Sequence, residues 1–162
     1  MTRFCCCSLF INCIILFQRK DSAMKIILAS HGSLADAMLK VLHMIMGDED
    51  DVESLCLDTY ENPVVLAEEA KKKIEAQGGA PIILVSDIKG GSVFNHLLPL
   101  CANPGVTLFA GMNLDLVLSL VNIQPQTEAD FEEVMGEGKA GMLRFNRETL
   151  EKMNEKDDTE NF

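Results

Sequence analysis

A histidine follows one short apolar run, Lys25–Ser30 (KIILAS), in the tetrad Ser30-His31-Gly32-Ser33. An aspartate follows a similar run, residues 81–86 (PIILVS), in Asp87-Ile88-Lys89-Gly90-Gly91-Ser92. An imidazole is a nucleophile only when one ring nitrogen is free of its proton. A carboxylate accepting from the other nitrogen fixes that tautomer and steadies a positively charged ring. Asp87 can do this for His31 if the two runs are neighbouring strands. Gly90 and Gly91 let the backbone approach a ligand closely. Their N–H groups, with those of Ser92 and Val93, open a helix start that favours an anion. The candidates are thus a nucleophile (His31), an orienter (Asp87) and an anion cradle (Gly90, Gly91, Ser92). Taken singly, each has a plainer role: a loop histidine, a loop cap and a common turn.

The elements that must position these residues alternate along the chain. Strands are expected at 25–30, 52–57, 81–86 and 106–111, with a short last one at 141–146 (GMLRFN). Between them lie helical patterns. Residues 34–46 carry an apolar stripe of Leu34, Met38, Val41, Leu42 and Ile45, with Ser33 as N-cap and Asp36 in the capping-box position. Residues 62–77 enter a helix through Pro63, and Gly78-Gly79 end it. Further helices are expected at 92–101, 113–121 and 128–136. Continuously apolar strands alternating with helices predict an α/β fold with a parallel sheet covered on both faces. Sites in such sheets form beyond the carboxyl ends of the strands, where His31 and Asp87 stand. His43 falls on the flank opposite the apolar stripe and is expected to be solvated, whereas His96 lies inside a helix without an evident role.

Composition narrows the function. The chain has 162 residues, a formal net charge of −11, 48% hydrophobic and 24% charged residues, an ordinary globular balance. That charge argues against a nucleic-acid surface, which needs a basic patch. Of six cysteines, Cys5, Cys6, Cys7 and Cys13 crowd the first thirteen residues, and Cys56 and Cys101 sit in apolar runs as small core residues. No pairing of CxxC with a second CxxC or CxxH supports a zinc site, and reduced thiols in the cytoplasm are expected. Residues 1–23 differ from the rest: an apolar run from Phe4 to Phe17, flanked by Arg3 and by Arg19-Lys20, is too short for an ordinary spanning helix. A mis-called translation start, a membrane-interface anchor and an export signal remain open for it. The domain is placed at 24–146, followed by an acidic tail at 147–162.

The residues after the strands, together with Phe109-Ala110-Gly111-Met112-Asn113-Leu114 after the fourth, resemble the enzyme IIA domain of the mannose family of sugar phosphotransferase systems. The resemblance spans about residues 24–146. Its strongest part is Asp87-x-x-Gly90-Gly91-Ser92-x-Phe94-Asn95, in register with His31-Gly32. It implies an open three-layer α/β sandwich, with a central sheet of four parallel strands plus one antiparallel edge strand and helices on both faces. That edge strand, here 141–146, would be exchanged across a homodimer. It implies that His31 accepts a phosphoryl group from phospho-HPr on Nε2, with Asp87 on the other ring nitrogen. His31 would then pass it to a histidine of the cognate IIB component, and the sugar would receive it through the membrane components IIC and IID. No metal or organic cofactor is implied. Ile88, Lys89 and Val93 depart from residues common in the family and bear on partner specificity. The sugar is not legible in the sequence. Two other readings stand beside this one: a non-enzymatic regulatory or sensor module on the same fold, and a small hydrolase using Ser30 or Ser33, which would need an acid–base–nucleophile set within hydrogen-bond reach.

Overall fold

The computed structural model describes residues 24–150. The expectations for residues 1–23, for their four cysteines, and for the tail beyond residue 150 lie outside the described residues. The chain divides into two compact units, the first ending at Leu114 and the second beginning at Asp115.

The first unit is built on four parallel strands, β1 (Lys25–Ser30), β2 (Val52–Cys56), β3 (Ile82–Ser86) and β4 (Val106–Ala110), in the spatial order β2-β1-β3-β4. β3 is buried at every position and β1 at all but its first, which is why both read as unbroken apolar runs rather than alternating ones. Among the described residues three helices belong to this unit: α1 (Leu34–Met46), α2 (Pro63–Ala76) and α3 (Ser92–Leu97), the last continued by a 3-10 turn at Leu98–Ala102. The polar contacts of β2 show how they are layered. Ser54 donates to the Asp36 carboxylate on α1, whereas the adjacent Glu53 accepts from Lys73 on α2. Successive strand residues point to opposite faces, so α1 and α2 cover opposite sides of the sheet. On the α2 side, Ile27, Ala29, Leu55, Ile82 and Leu84 form one core with Leu66, Ala70 and Ile74 of α2 and Val93 and Leu97 of α3. The parallel sheet with helices on both faces is the architecture expected.

Two local expectations are corrected, and a third is not seen among the described residues. First, α1 is rotated about its axis relative to the expected stripe. Its buried residues are Ala35 and Leu42, while Leu34, Val41 and Ile45 are exposed. The helix start is held through Ala35, whose N–H donates to the buried Ser30 hydroxyl at 2.9 Å. Small Ala35 therefore faces the sheet. His43 turns inward with this rotation: it is half-buried, and its Nε2 has no hydrogen-bond partner among the described residues. Second, Ser33 makes no side-chain cap bond, and Asp36 is engaged by Ser54 instead of closing a capping box. Third, residues 141–146 pair with no strand among the described residues, and Met142, Leu143 and Phe145 are exposed. Cys56 is buried and Cys101 half-buried, both as free thiols.

The second unit contains most of α4 (Leu114–Ile123) and all of α5 (Glu128–Ala140). Thr127 and Asp130 close a capping box at the start of α5. The helix runs past Gly136, where the sequence suggests a stop. At Gly138 a side chain would come within 3.0 Å of Leu116 Cβ, so that glycine allows α4 and α5 a close approach. At Gly141 the Asp115 carboxylate occupies the place a Cβ would take. Asn146 then caps a further helical turn, accepting from the Thr149 N–H at 2.9 Å. No helix among the described residues is long and apolar enough to cross a membrane.

The serine and the asparagine at the starts of α1 and α2 make a testable contrast. Asn62 accepts from the N–H groups of Val64 and Val65, so Asn62→Ala should cost about 1 kcal/mol. Ser33→Ala should leave stability unchanged, because no cap bond is lost. Urea unfolding of both variants is the measurement, and a loss in Ser33→Ala equal to that in Asn62→Ala would contradict this account.

Candidate active site

β1 and β3 are neighbours, and their pairing runs Lys25↔Ile82 to Ala29↔Ser86. The ladder continues one step beyond the strands, with the Asp87 N–H donating to the Ala29 carbonyl at 3.1 Å. This register sets the Asp87 side chain beside His31. One carboxylate oxygen, Oδ2, accepts from the His31 backbone N–H at 2.9 Å and lies 2.7 Å from the ring Nδ1. The other, Oδ1, accepts from the Ile88 N–H at 2.8 Å. Burial pushes the Asp87 carboxyl upward, but the hydrogen bonds from His31 and Ile88 together outweigh it and hold the group below its usual range. An ionised carboxylate can only accept, so Nδ1 of the neutral ring carries the proton. Nε2 then presents its lone pair on the far side of the ring, where Ser92 Oγ lies 3.0 Å away and donates to it.

The two glycines of the loop are needed for different reasons. Gly90 has φ +79°, a left-handed conformation that a side chain strains. Gly91 has an ordinary φ, but a Cβ there would stand 2.7 Å from His31 Cε1 and 2.9 Å from Ile88 Cγ2. The imidazole lies directly against the Gly91 backbone. Asn95 holds the turn, its side-chain amide donating to the Gly90 carbonyl at 3.0 Å. The Gly91 N–H is directed at the Ile88 carbonyl at 3.4 Å.

The structure thus brings His31, Asp87, Gly91 and Ser92 into contact around one ring, with Gly90 shaping the turn. Sequence reasoning assigned Ser92 a backbone N–H role; the hydroxyl facing Nε2 was not anticipated, because only the folded turn reveals its direction. The buried Ser30 was also missed as a structural element of the site. Ser30, considered as a hydrolase nucleophile, is fully buried with its hydroxyl donating to the Gly32 carbonyl. His96 lies outside this ring and donates from Nδ1 to the Ser92 carbonyl at 2.7 Å, one helical turn back. His31 itself is 41% exposed, so the imidazole sits at an open mouth, with exposed Ile88 and Leu34 close by in sequence.

Residues 25–135 match the family model described as PTS system fructose IIA component. No curated protein sequence matches the chain. Solved structures do. A protein of Klebsiella pneumoniae subsp. pneumoniae MGH 78578, assigned as a phosphoenolpyruvate-dependent sugar phosphotransferase system permease, shares 27% identity with a TM-score of 0.71, over 80% of this chain and 96% of its own. The PTS IIA protein associated with the fucose utilization operon of Streptococcus pneumoniae shares 25% with a TM-score of 0.67, over 80% and 96%. The mannose/sorbose-specific IIA subunit of Enterococcus faecalis shares 23% with a TM-score of 0.60, over 75% and 94%, a likeness that shows the fold alone.

The glycine geometry separates two substitutions that look alike on paper. Gly91→Ala should push the imidazole off Asp87, so that the ring nitrogens show a mixture of tautomers by 15N NMR. Gly90→Ala should cost about 1 kcal/mol of stability through its positive φ and leave the ring protonated on Nδ1. A single Nδ1-protonated tautomer in Gly91→Ala would show that the ring is not held against this backbone.

Proposed function

The chain belongs to the fructose/mannose-type IIA components of the sugar phosphotransferase system, and from that premise we propose that His31 is its phosphoryl acceptor, taking the group from phospho-HPr and handing it to a histidine of the cognate IIB component. The observation that carries this reading is the Asp87–Nδ1 contact at 2.7 Å, which leaves Nε2 as the nucleophile. In the forward step the Nε2 lone pair forms the bond to phosphorus as the bond to the donor's histidine nitrogen breaks, and that electron pair returns to the donor ring. The phosphorylated His31 ring keeps its Nδ1 proton, and Asp87 stabilises the positive charge shared over it. Ser92, relieved of the lone pair, donates to a phosphoryl oxygen, and the loop at Gly90 and Gly91 lets that group lie close to the backbone. The second transfer is the same step in the other direction, and the membrane components IIC and IID then deliver the phosphoryl group to sugar. Free thiols at Cys56 and Cys101 fit a cytoplasmic setting.

A second reading draws on the same atoms. Asp87, His31 and Ser92 are spaced as a carboxylate–imidazole–hydroxyl relay of the kind that activates a serine nucleophile. Family membership favours the histidine as acceptor, and one experiment separates the two. The full chain is incubated with phosphoenolpyruvate, enzyme I and HPr. His31→Ala should lose all phosphorylation. Ser92→Ala should retain acid-labile phosphate at a rate roughly tenfold lower, and Asp87→Asn should be slower by about 10² or more, as for other lost orienting groups. Acid-stable phosphate that vanishes in Ser92→Ala would overturn the histidine assignment.

The same reading includes a homodimer. β4 ends the sheet, and an exposed strand edge invites pairing. Residues 141–146 carry exposed Met142, Leu143 and Phe145 with no ladder of their own. Exchanged between two copies, they would lie antiparallel along that edge in each. Light scattering should find the full chain dimeric and a chain ending at Gly141 monomeric. A dimer that survives the truncation would rule out the exchange.

A further inference from the structure

We propose that Ser30, which touches neither the reacting nitrogen nor a phosphoryl group, is the positioning residue that sets the aim of the His31 imidazole. The inference rests on His31 being the acceptor. Ser30 is fully buried at the carboxyl end of β1, immediately before the nucleophile. Its hydroxyl donates to the Gly32 carbonyl at 2.5 Å and accepts from the Ala35 N–H at 2.9 Å. One side chain thereby closes the turn from both ends, tying the residue after His31 and the second residue of α1 to the end of the strand. The donor it satisfies is one of the helix-start N–H groups that have no partner within the helix. Asp87 fixes the ring from outside the turn; Ser30 fixes the backbone from which the ring hangs. Two hydrogen bonds on one hydroxyl also determine the proton's place: the hydroxyl hydrogen goes to Gly32, so the oxygen's lone pairs face Ala35.

The surroundings of Ser30 are built to keep it there. Cys56 Sγ lies 4.0 Å from its oxygen, and β1 and β2 are in register at Ser30↔Cys56. Asp36, one residue beyond Ala35, is bound in turn by the Ser54 hydroxyl on β2. Strand β2 therefore braces both the serine and the first turn of α1. This chain of contacts explains why no cap bond is made by Ser33, whose position in the sequence suits a cap: the helix start is already held from below.

The test compares Ser30→Ala, Ser30→Thr and the wild-type full chain, with Ser30→Cys, nearly isosteric but a weak hydrogen-bond partner, replacing Ser30→Ala if that variant does not fold. Single-turnover phosphorylation by phospho-HPr should fall at least tenfold at saturating donor in Ser30→Ala. The donor concentration for half-saturation should not change, and Ser30→Thr should recover most of the rate. A purely structural role would lower stability without this split. Ring 15N NMR of the unphosphorylated chains gives a second readout that needs no transfer: wild type and Ser30→Thr should hold one Nδ1-protonated tautomer, and Ser30→Ala a mixture. Wild-type rate and tautomer in Ser30→Ala overturn the proposal, as do equal losses in Ala and Thr. A wild-type chain that accepts no phosphate overturns the acceptor assignment instead, and the NMR comparison then decides the positioning role alone.

Discussion

A carboxylate that accepts from both the backbone N–H and the ring nitrogen of one histidine constrains the chain and the imidazole together. Asp87 Oδ2 does this for His31, and the rest of the first unit can be understood as the means of delivering those two residues to one another. They are 56 residues apart in sequence. What joins them is the β1–β3 pairing, extended by the Asp87 N–H to the Ala29 carbonyl. A slip of one residue in that register would turn the side chains of β3 to the opposite face and carry the carboxylate away from the ring. The apolar burial along β1 and β3 is thus also what makes the site's geometry specific.

The loop opposite the ring is equally determined. Gly91 has no side chain because the imidazole occupies the space; Gly90 has none because its backbone is left-handed. Ser92 then follows at a distance fixed by this turn, its hydroxyl on the nitrogen that Asp87 leaves unprotonated. The ring is therefore addressed on both nitrogens, by a group that can only accept and by one that can give or accept. That asymmetry suits the acceptor role proposed for His31. In the proposed transfer the carboxylate's role would stay constant, while the hydroxyl's partner would change from ring to phosphoryl oxygen.

Much of this was legible in the sequence, for reasons that also explain what was not. β1 and β3, buried on both faces, leave continuous apolar runs, which placed His31 and Asp87 after them, and the less buried β2 and β4 could also be read to within a residue or so. The facing of α1 could not. It contains apolar residues nearly all around, and the buried side was decided by a tertiary bond, Ser30 to the Ala35 N–H, that no periodicity records. Ser33 met every local rule for a cap and is not one, because Ser30 reaches the helix start first. α5 runs past its glycines, and Gly138 sits where Leu116 needs the space. Residues 141–146 have the composition of a strand but pair with no strand among the described residues.

The openness of the site bears on the kind of molecule it meets. His31 stands at a mouth rather than in a closed cavity, and Ile88 is 58% exposed next to the carboxylate that orients it. A small substrate would need walls on this side to bind and to exclude water. In the proposed function those walls would come from a partner protein bearing its own histidine, which on docking would cover Ile88 and exclude water beside the ring, where the hydrogen bonds of Asp87 and Ser92 are then stronger.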